Sequence, residues 1–306
     1  MDQLEAKEQV PGQKDAPAFA PHSLMSPAGQ LAPQTCATCG TVPKSDGGYS
    51  AATYVYAIGR IEPRFPKVSV EKEFVQAVGR DKTSGLTDRQ ALQTVLSRPE
   101  NRYLLRHLCW VLTIEGLETY LLAPRDAADY GLLVDALRPT PQPWDMDCVI
   151  GVRGPIAGPE VCNGLMIPIV SFDQIYSFDR DFLIKAIPKP EKTPAKEFIP
   201  AAEELFDRIM QMADNAGATN EHRALNYLAV RYPAIYANAA DAFGRNASLS
   251  GVGVALSPLS GTRNVVEVIF SYTNRNSDVT EKFFCRVDVT DEFPFLVTKL
   301  SPYYDR

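Results

Sequence analysis

The distribution of apolar and polar positions divides the chain into three unlike stretches. Residues 1–48 show neither helical nor strand periodicity and are rich in Pro, Gln, Ala, Ser and Gly. Such a segment buries too little apolar surface to offset the entropy of ordering, and reads as a disordered linker or tail. From Tyr54 the text changes: YVYAIGRI is β-branched and aromatic, which predicts a strand closed by the prolines of EPRFP. Ser69 is placed to cap a helix over VEKEFVQAV, with acidic residues in its first turn and Gly79 past its end. Thr87 and Gln90 form a capping box for a second helix whose apolar stripe, Ala91, Leu92, Val95 and Leu96, stops at Pro99.

The following ENRYLLRHLCW has helical spacing, and WVLTIEGLETYLLAP switches to extended character on either side of Glu115-Gly116, the signature of a hairpin. A helix from Asp126 to about Leu137 ends at the Pro-rich RPTPQPW, and strands are predicted at MDCVIGVRG and NGLMIPIVSF. The lysine- and proline-rich KAIPKPEKTPAKEFIP marks a boundary. Beyond it, PAAEELFDRIMQMADNAG is an amphipathic helix, Thr219 caps a helix through RALNYLAVRY, and GVGVAL, NVVEVIFSYT, EKFFCRVDV and FLVTKL form an antiparallel meander. The expected class is α+β: a tail over 1–48, a mixed helical and hairpin first domain over 49–188, and a second domain over 196–306 in which helices precede an antiparallel sheet.

Composition narrows the function classes. With 31 basic against 37 acidic residues and a net charge of -6, and without clustered Lys and Arg, the chain is unsuited to generic nucleic-acid binding. No window has the length of apolar sequence needed for a membrane span, and the acidic MDQLEAKEQVPG lacks a basic region followed by an apolar one, so the cytoplasm is expected. Reduced thiols are the rule there, and the six cysteines read as metal ligands, buried apolar residues or nucleophiles rather than as a disulfide framework.

Catalytic patterns are sparse. Of three histidines, His22 lies in the tail, while His107 and His222 lie on helices where packing or solvation explains them. GxSxG, HExxH, Walker A and dinucleotide-binding patterns are absent. The carboxylate pairs Glu115/Glu118 and Asp145/Asp147 fall at turns, where acidic residues ordinarily serve as caps. Arg60, Glu62 and Arg64 alternate along an extended segment, as a same-face ion pair or as an arginine fork for a peptide carboxylate.

Cysteine carries more information. QTCATCG supplies Cys36 and Cys39 in a CxxC, half of a tetrahedral zinc site, because a tight turn aims two thiolates at one ion. Cys148 and Cys285 sit in β-like runs as small hydrophobes. Cys162 lies among the turn residues of GPEVCNG and Cys109 at a helix–strand junction, with His107 as the substitute for Cys109. A site of Cys36, Cys39, Cys109 and Cys162 would fasten the tail to the first domain. A solvent-exposed dithiol and a thiol-based enzyme using Cys162 or the Cys36/Cys39 pair stand beside it.

The phrases YVYAIGRIEPRFPKVSVEKEF, GLTDRQALQTVLSRPENRYLLRHLCWVLTIEGLETYLL, VCNGLMIPIVSFDQIYSF, MQMADNAGATNEHRALNYLAVRYPAIYA and VTKLSPYYDR closely resemble the C-terminal domain of unknown function of the PatG/PatA-type cyanobactin maturation proteases. The resemblance runs from about Tyr54 to Arg306. It implies a cytoplasmic multidomain parent whose subtilisin-like serine protease trims or macrocyclises ribosomal precursor peptides. It implies for this part a zinc-bearing, non-catalytic module that self-associates, with Cys36, Cys39, Cys109 and Cys162 as ligands. The subtilisin Asp, His and Ser motifs are missing, so no peptidase activity is expected of these residues. The expected partners are the parent's protease domain, the precursor peptide or a second copy, with pure dimerisation scaffold as the alternative.

Overall fold

The computed structural model describes residues 53–80, 85–187, 195–212 and 214–304. Five strands close a barrel: β1 (Thr53–Arg64), β2 (Cys109–Ile114), β3 (Leu117–Pro124), β4 (Asp145–Ile156) and β5 (Pro168–Asp179), in the order β1-β2-β3-β5-β4. All neighbours are antiparallel except β3 and β5, which run parallel. The β2–β3 hairpin turns at Glu115 (φ 49°) and Gly116 (φ 81°). Two successive positive φ values match the right-handed twist of the flanking strands.

Around the barrel lie four helices: α1 (Val68–Arg80), α2 (Asp88–Leu96), α3 (Arg102–His107) and α4 (Tyr130–Ala136). Val95, Leu96, Leu104 and Leu133 are buried with Trp110, Leu112 and Phe172 of the strands in one core. The expected capping box is present: the Thr87 hydroxyl accepts from the Gln90 N–H, and the Gln90 side chain accepts from the Thr87 N–H. The first helix starts before Ser69 and runs through Gly79, and the Val70 and Glu71 N–H groups of its first turn donate to the Lys67 carbonyl. α3 stops at His107, so the helical spacing of ENRYLLRHLCW ends where Cys109 opens β2.

Next come α5 (Arg180–Ala186), α6 (Ala195–Met210), α7 (Asn220–Arg231) and α8 (Ala234–Gly244). An open sheet follows, β6 (Ala247–Leu256), β7 (Val265–Asn274), β8 (Thr280–Asp288) and β9 (Phe295–Pro302), in sequential antiparallel order. The meander and the Thr219 cap agree with the sequence pattern, the Thr219 hydroxyl accepting from the His222 N–H at 3.1 Å. α6 begins five residues before the expected Pro200 start and keeps that proline inside. The added turn carries Phe198, which is buried in one core with Leu205 and Phe206.

Ser50–Arg306 form one compact unit. Within it, Tyr56, Ile58, Cys148 and Ile150 on the outside of the barrel share a core with α6, α7 and the inner face of the open sheet. At this junction β1 pairs with β4 over Thr53–Gly59 but with β2 only from Arg60 to Arg64. The other edge of its first half is completed by different groups. The Tyr56 N–H donates to the Gly217 carbonyl at 2.9 Å, and the Tyr56 carbonyl accepts from Asn226 Nδ2 at 2.8 Å. Asn226, wholly buried, also exchanges side-chain amide bonds with Asn215 at 2.8 and 3.1 Å. Gly217 has φ 69°, and a Cβ there would overlap the Tyr56 backbone, so the approach needs glycine.

Candidate functional site

At the rim of the barrel, β2 opens with Cys109, and Cys162 sits in the turn-rich segment joining β4 to β5. Asn163 (φ 46°) and Gly164 (φ 84°) turn the chain back immediately after Cys162. The Gly164 N–H bonds to the Pro159 carbonyl at 2.8 Å and the Leu165 N–H to the Cys162 carbonyl at 2.9 Å, which fixes that turn. The outcome is that Cys109 and Cys162, 53 positions apart, are joined in a disulfide with Cα atoms 5.9 Å apart. The expectation that thiols would stay reduced is not met at this pair. Both cysteines are buried, in a small apolar cluster of their own with Val111, Leu121 and Ala157. Beside them a cavity of about 290 Å3 is lined by Arg64, Phe65, Glu118, Cys162, Asn163 and Gly164.

The two described members of the expected four-cysteine set are thus brought together; Cys36 and Cys39 lie outside the described residues, as does His22. Two convergent sulfurs are the donor type that zinc takes, so this pair fits half of a tetrahedral site. Among the described residues no group of three or more His, Cys, Asp or Glu side chains converges on one point. His107 is exposed on α3 with its ring against Tyr103, and sits outside the cysteine cluster. Cys148 and Cys285 are fully buried, as their strand context implied, and burial pushes both thiols up to about 12.

The acidic candidates are engaged in the fold. Asp145 pairs with Arg138 and accepts from the Gln142 N–H at 2.7 Å. Asp147, nearly buried, accepts from the Ile61 N–H at 2.9 Å and Ser177 Oγ at 2.6 Å. Burial raises its pKa against those hydrogen bonds, which lower it. Glu118 pairs with Arg64, and Arg60 donates to the Pro143 carbonyl, so both arginines of this segment are engaged outside it. Arg60 and Glu62 instead line a cavity of about 460 Å3 with Ile58, Gly59, Met146 and Met210.

One cluster escaped the sequence reading. Arg125, just beyond β3, reaches Asp173 of β5 at 2.9 Å and Glu292, which follows β8, at 3.4 Å. Burial, then hydrogen bonding and repulsion from Asp173, raise the Glu292 carboxyl to about 7, with Arg125 opposing. The backbone beside Glu292 is held by Arg223, itself 3% exposed, which donates to the carbonyls of Val289, Asp291 and Glu292. Arg125 and Glu292 are 167 positions apart, and no local pattern links them. His222 is also shifted, its pKa lowered by burial against Glu221 and Asp214.

A closed barrel joined through buried helices to an open antiparallel sheet defines an α+β protein, as the pattern of elements implied. Among solved structures, the fold is similar to one titled "PatG Domain of Unknown Function", with a TM-score of 0.68 and 19% identity over 82% of this chain and 98% of that chain. Residues 192–303 match the family described as PatG C-terminal. No curated protein matches it. No helix among the described residues is long and apolar enough to cross a membrane.

Proposed function

We propose that this chain is a non-catalytic accessory domain of a cyanobactin maturation protease, which holds an extended precursor peptide against the open sheet. The observation that carries the reading is the β6 edge. Over Ala247–Leu256, ASLSGVGVAL has no charged residue and no proline, and its register with β7 is continuous from Gly251 to Leu256. Edge strands are ordinarily guarded by Lys, Pro or bulges, and β9 at the opposite edge has Lys299, a closing Pro302 and a register break at Val297. β6 has its own register shift between Leu249 and Gly251, so the uncharged and unbroken part of this edge is Gly251–Leu256, and such an edge accepts an extended chain by strand addition. Outward Gly253 and Ala255 leave room for the side chains of an added strand.

In this reading structural zinc would be held by the thiolates of Cys36, Cys39, Cys109 and Cys162, and would supply a crosslink rather than chemistry. The burial of Cys162 at 2% exposed and its bond to Cys109 weigh against a thiol nucleophile there. Fluorescence anisotropy with labelled leader and core peptides tests the peptide role: the expected result is saturable binding that Ala255→Lys abolishes without loss of circular dichroism. Absence of binding at high micromolar protein sinks it. Light scattering that shows a dimer dissociated by Ala255→Lys would instead assign the edge to a second copy.

A further inference from the structure

A cavity of about 310 Å3 opens between α3 and α4, at the lower end of the range of small-molecule sites, about 300–1,000 Å3. Its α3 side carries Arg102 and Arg106, both exposed. A spacing of four residues sets them on one helix face, and among the described residues neither has an ion pair or a hydrogen bond. Like charges at this spacing weaken a helix, so the pair costs the fold stability that an anion would restore. On the α4 side the cavity is bounded by Gly131, a residue that weakens a helix relative to alanine. A Cβ at Gly131 would meet no atom within 4 Å, so packing does not require the glycine, and its bare backbone keeps the cavity open. Leu96, Leu105 and Val134, from three different helices, supply a buried apolar lining. Ser97 Oγ already donates to the Gln93 carbonyl at 2.6 Å, which leaves the two guanidiniums and the Tyr130 hydroxyl as the side-chain donors at this site.

We propose that this cavity binds an α-carboxylate carried by an aliphatic residue, either a free amino acid or the C-terminal end of a peptide. A guanidinium presents paired N–H donors that match the two oxygens of a carboxylate. Arg102 and Arg106 hold that group at the mouth, and the aliphatic side chain enters the lining of Leu96, Leu105 and Val134. A bare phosphate would engage the arginines but leave the apolar lining wet, which disfavours it. Asp135 stands one turn beyond Gly131 on α4 and separates the two sources. Its carboxylate attracts the ammonium of a free amino acid, whereas a peptide end brings an amide N–H in that place. The site is built from α2, α3 and α4, whose core is separate from the one beneath β6, so it stands independently of the strand-addition reading.

Isothermal titration of the full chain with leucine, N-acetyl-leucine and leucinamide tests the site. Leucine or N-acetyl-leucine should bind saturably in the millimolar range or tighter, and leucinamide, which lacks the carboxylate, about tenfold more weakly. Arg102→Gln and Arg106→Gln should each weaken the tighter carboxylate about tenfold with an unchanged thermal midpoint, because neither side chain has a described partner to lose. Gly131→Leu should abolish binding while circular dichroism shows the helices intact. Tighter binding of leucine than of N-acetyl-leucine, with the advantage lost in Asp135→Asn, assigns the site to a free amino acid. Equal affinities or the reverse order assign it to a peptide end. The site is overturned if neither carboxylate binds at millimolar concentration, if leucinamide binds equally well, or if both arginine variants bind as the unaltered chain does. Inorganic phosphate that binds more tightly than either leucine derivative overturns it as well, since an anion alone would then suffice.

Discussion

The barrel and the open sheet solve the same problem, unpaired strand edges, in opposite ways. In the barrel, β1 is long enough to pair with β4 first and β2 afterwards, and the gap between them is stitched by a glycine carbonyl and a buried asparagine. In the open sheet the β6 edge is left with small, uncharged residues. Backbone polar groups that cannot find water must find protein, and at Tyr56 the available protein is a loop and a helix rather than a strand. The difference teaches that closure here is a tertiary event, dependent on α7, whereas the open sheet is specified by local turns and alternation.

Asn226→Leu should give the largest effect, because it strands both the Tyr56 carbonyl and Asn215 Oδ1 in the core. A loss of about 3 kcal/mol in urea unfolding is expected. An unchanged midpoint would mean the stitch does not hold the barrel. Gly217→Ala comes next, at about 2 kcal/mol, since the new Cβ meets the Tyr56 backbone at a positive φ.

The junction is also sensitive to pH through Glu292. Its carboxyl, raised to about 7 in the folded state, keeps a proton that the unfolded chain gives up near its ordinary value. Its contribution is therefore complete at acidic pH, declines as pH rises through the ordinary carboxylate range, and is lost above about 7. Glu292→Gln should flatten this part of the stability profile, and a profile unchanged by the substitution would remove Glu292 from the junction. The smallest effect belongs to Gly251→Ala in β6, where an added Cβ meets open space. Relief of glycine's backbone entropy should stabilise by about 0.5 kcal/mol. If thermal unfolding instead shows equal losses for the glycine substitutions at 217 and 251, the contrast between seam and edge fails.

What could be read from sequence follows the same division. The Thr87/Gln90 box, the Glu115-Gly116 turn, the Thr219 cap and the four-strand meander are signalled within a few residues of where they act. Barrel closure, the parallel β3–β5 pairing and the Asn215–Asn226 exchange join distant segments, and hydrophobic periodicity has no component that reports them. α5 and α8 have no clear signal in the sequence pattern. The former has only seven residues, and the latter is alanine-rich and largely buried, with little amphipathic contrast. Turn chemistry and a helix–strand junction mark Cys162 and Cys109 as two of four expected zinc ligands, and the structure brings these two together as a disulfide. That their sulfurs are bonded was not legible, because redox state is not encoded in spacing. Arg125, Asp173 and Glu292 left no trace, each looking like an ordinary turn or strand charge.

The placement of the two tryptophans equips the molecule with its own optical reporters. Trp110 is buried in the barrel, 2% exposed, with its indole N–H donating to the Leu105 carbonyl at 3.0 Å. Trp144 is 44% exposed and lies 3.6 Å beneath the Arg180 guanidinium, which itself grips Asp207 of α6 at 3.1 Å. Emission from the first therefore tracks water entry into the barrel, and quenching of the second tracks the grip of α5 on α6. Superimposable denaturation curves from the two signals would identify the barrel and the helical layer as one cooperative unit.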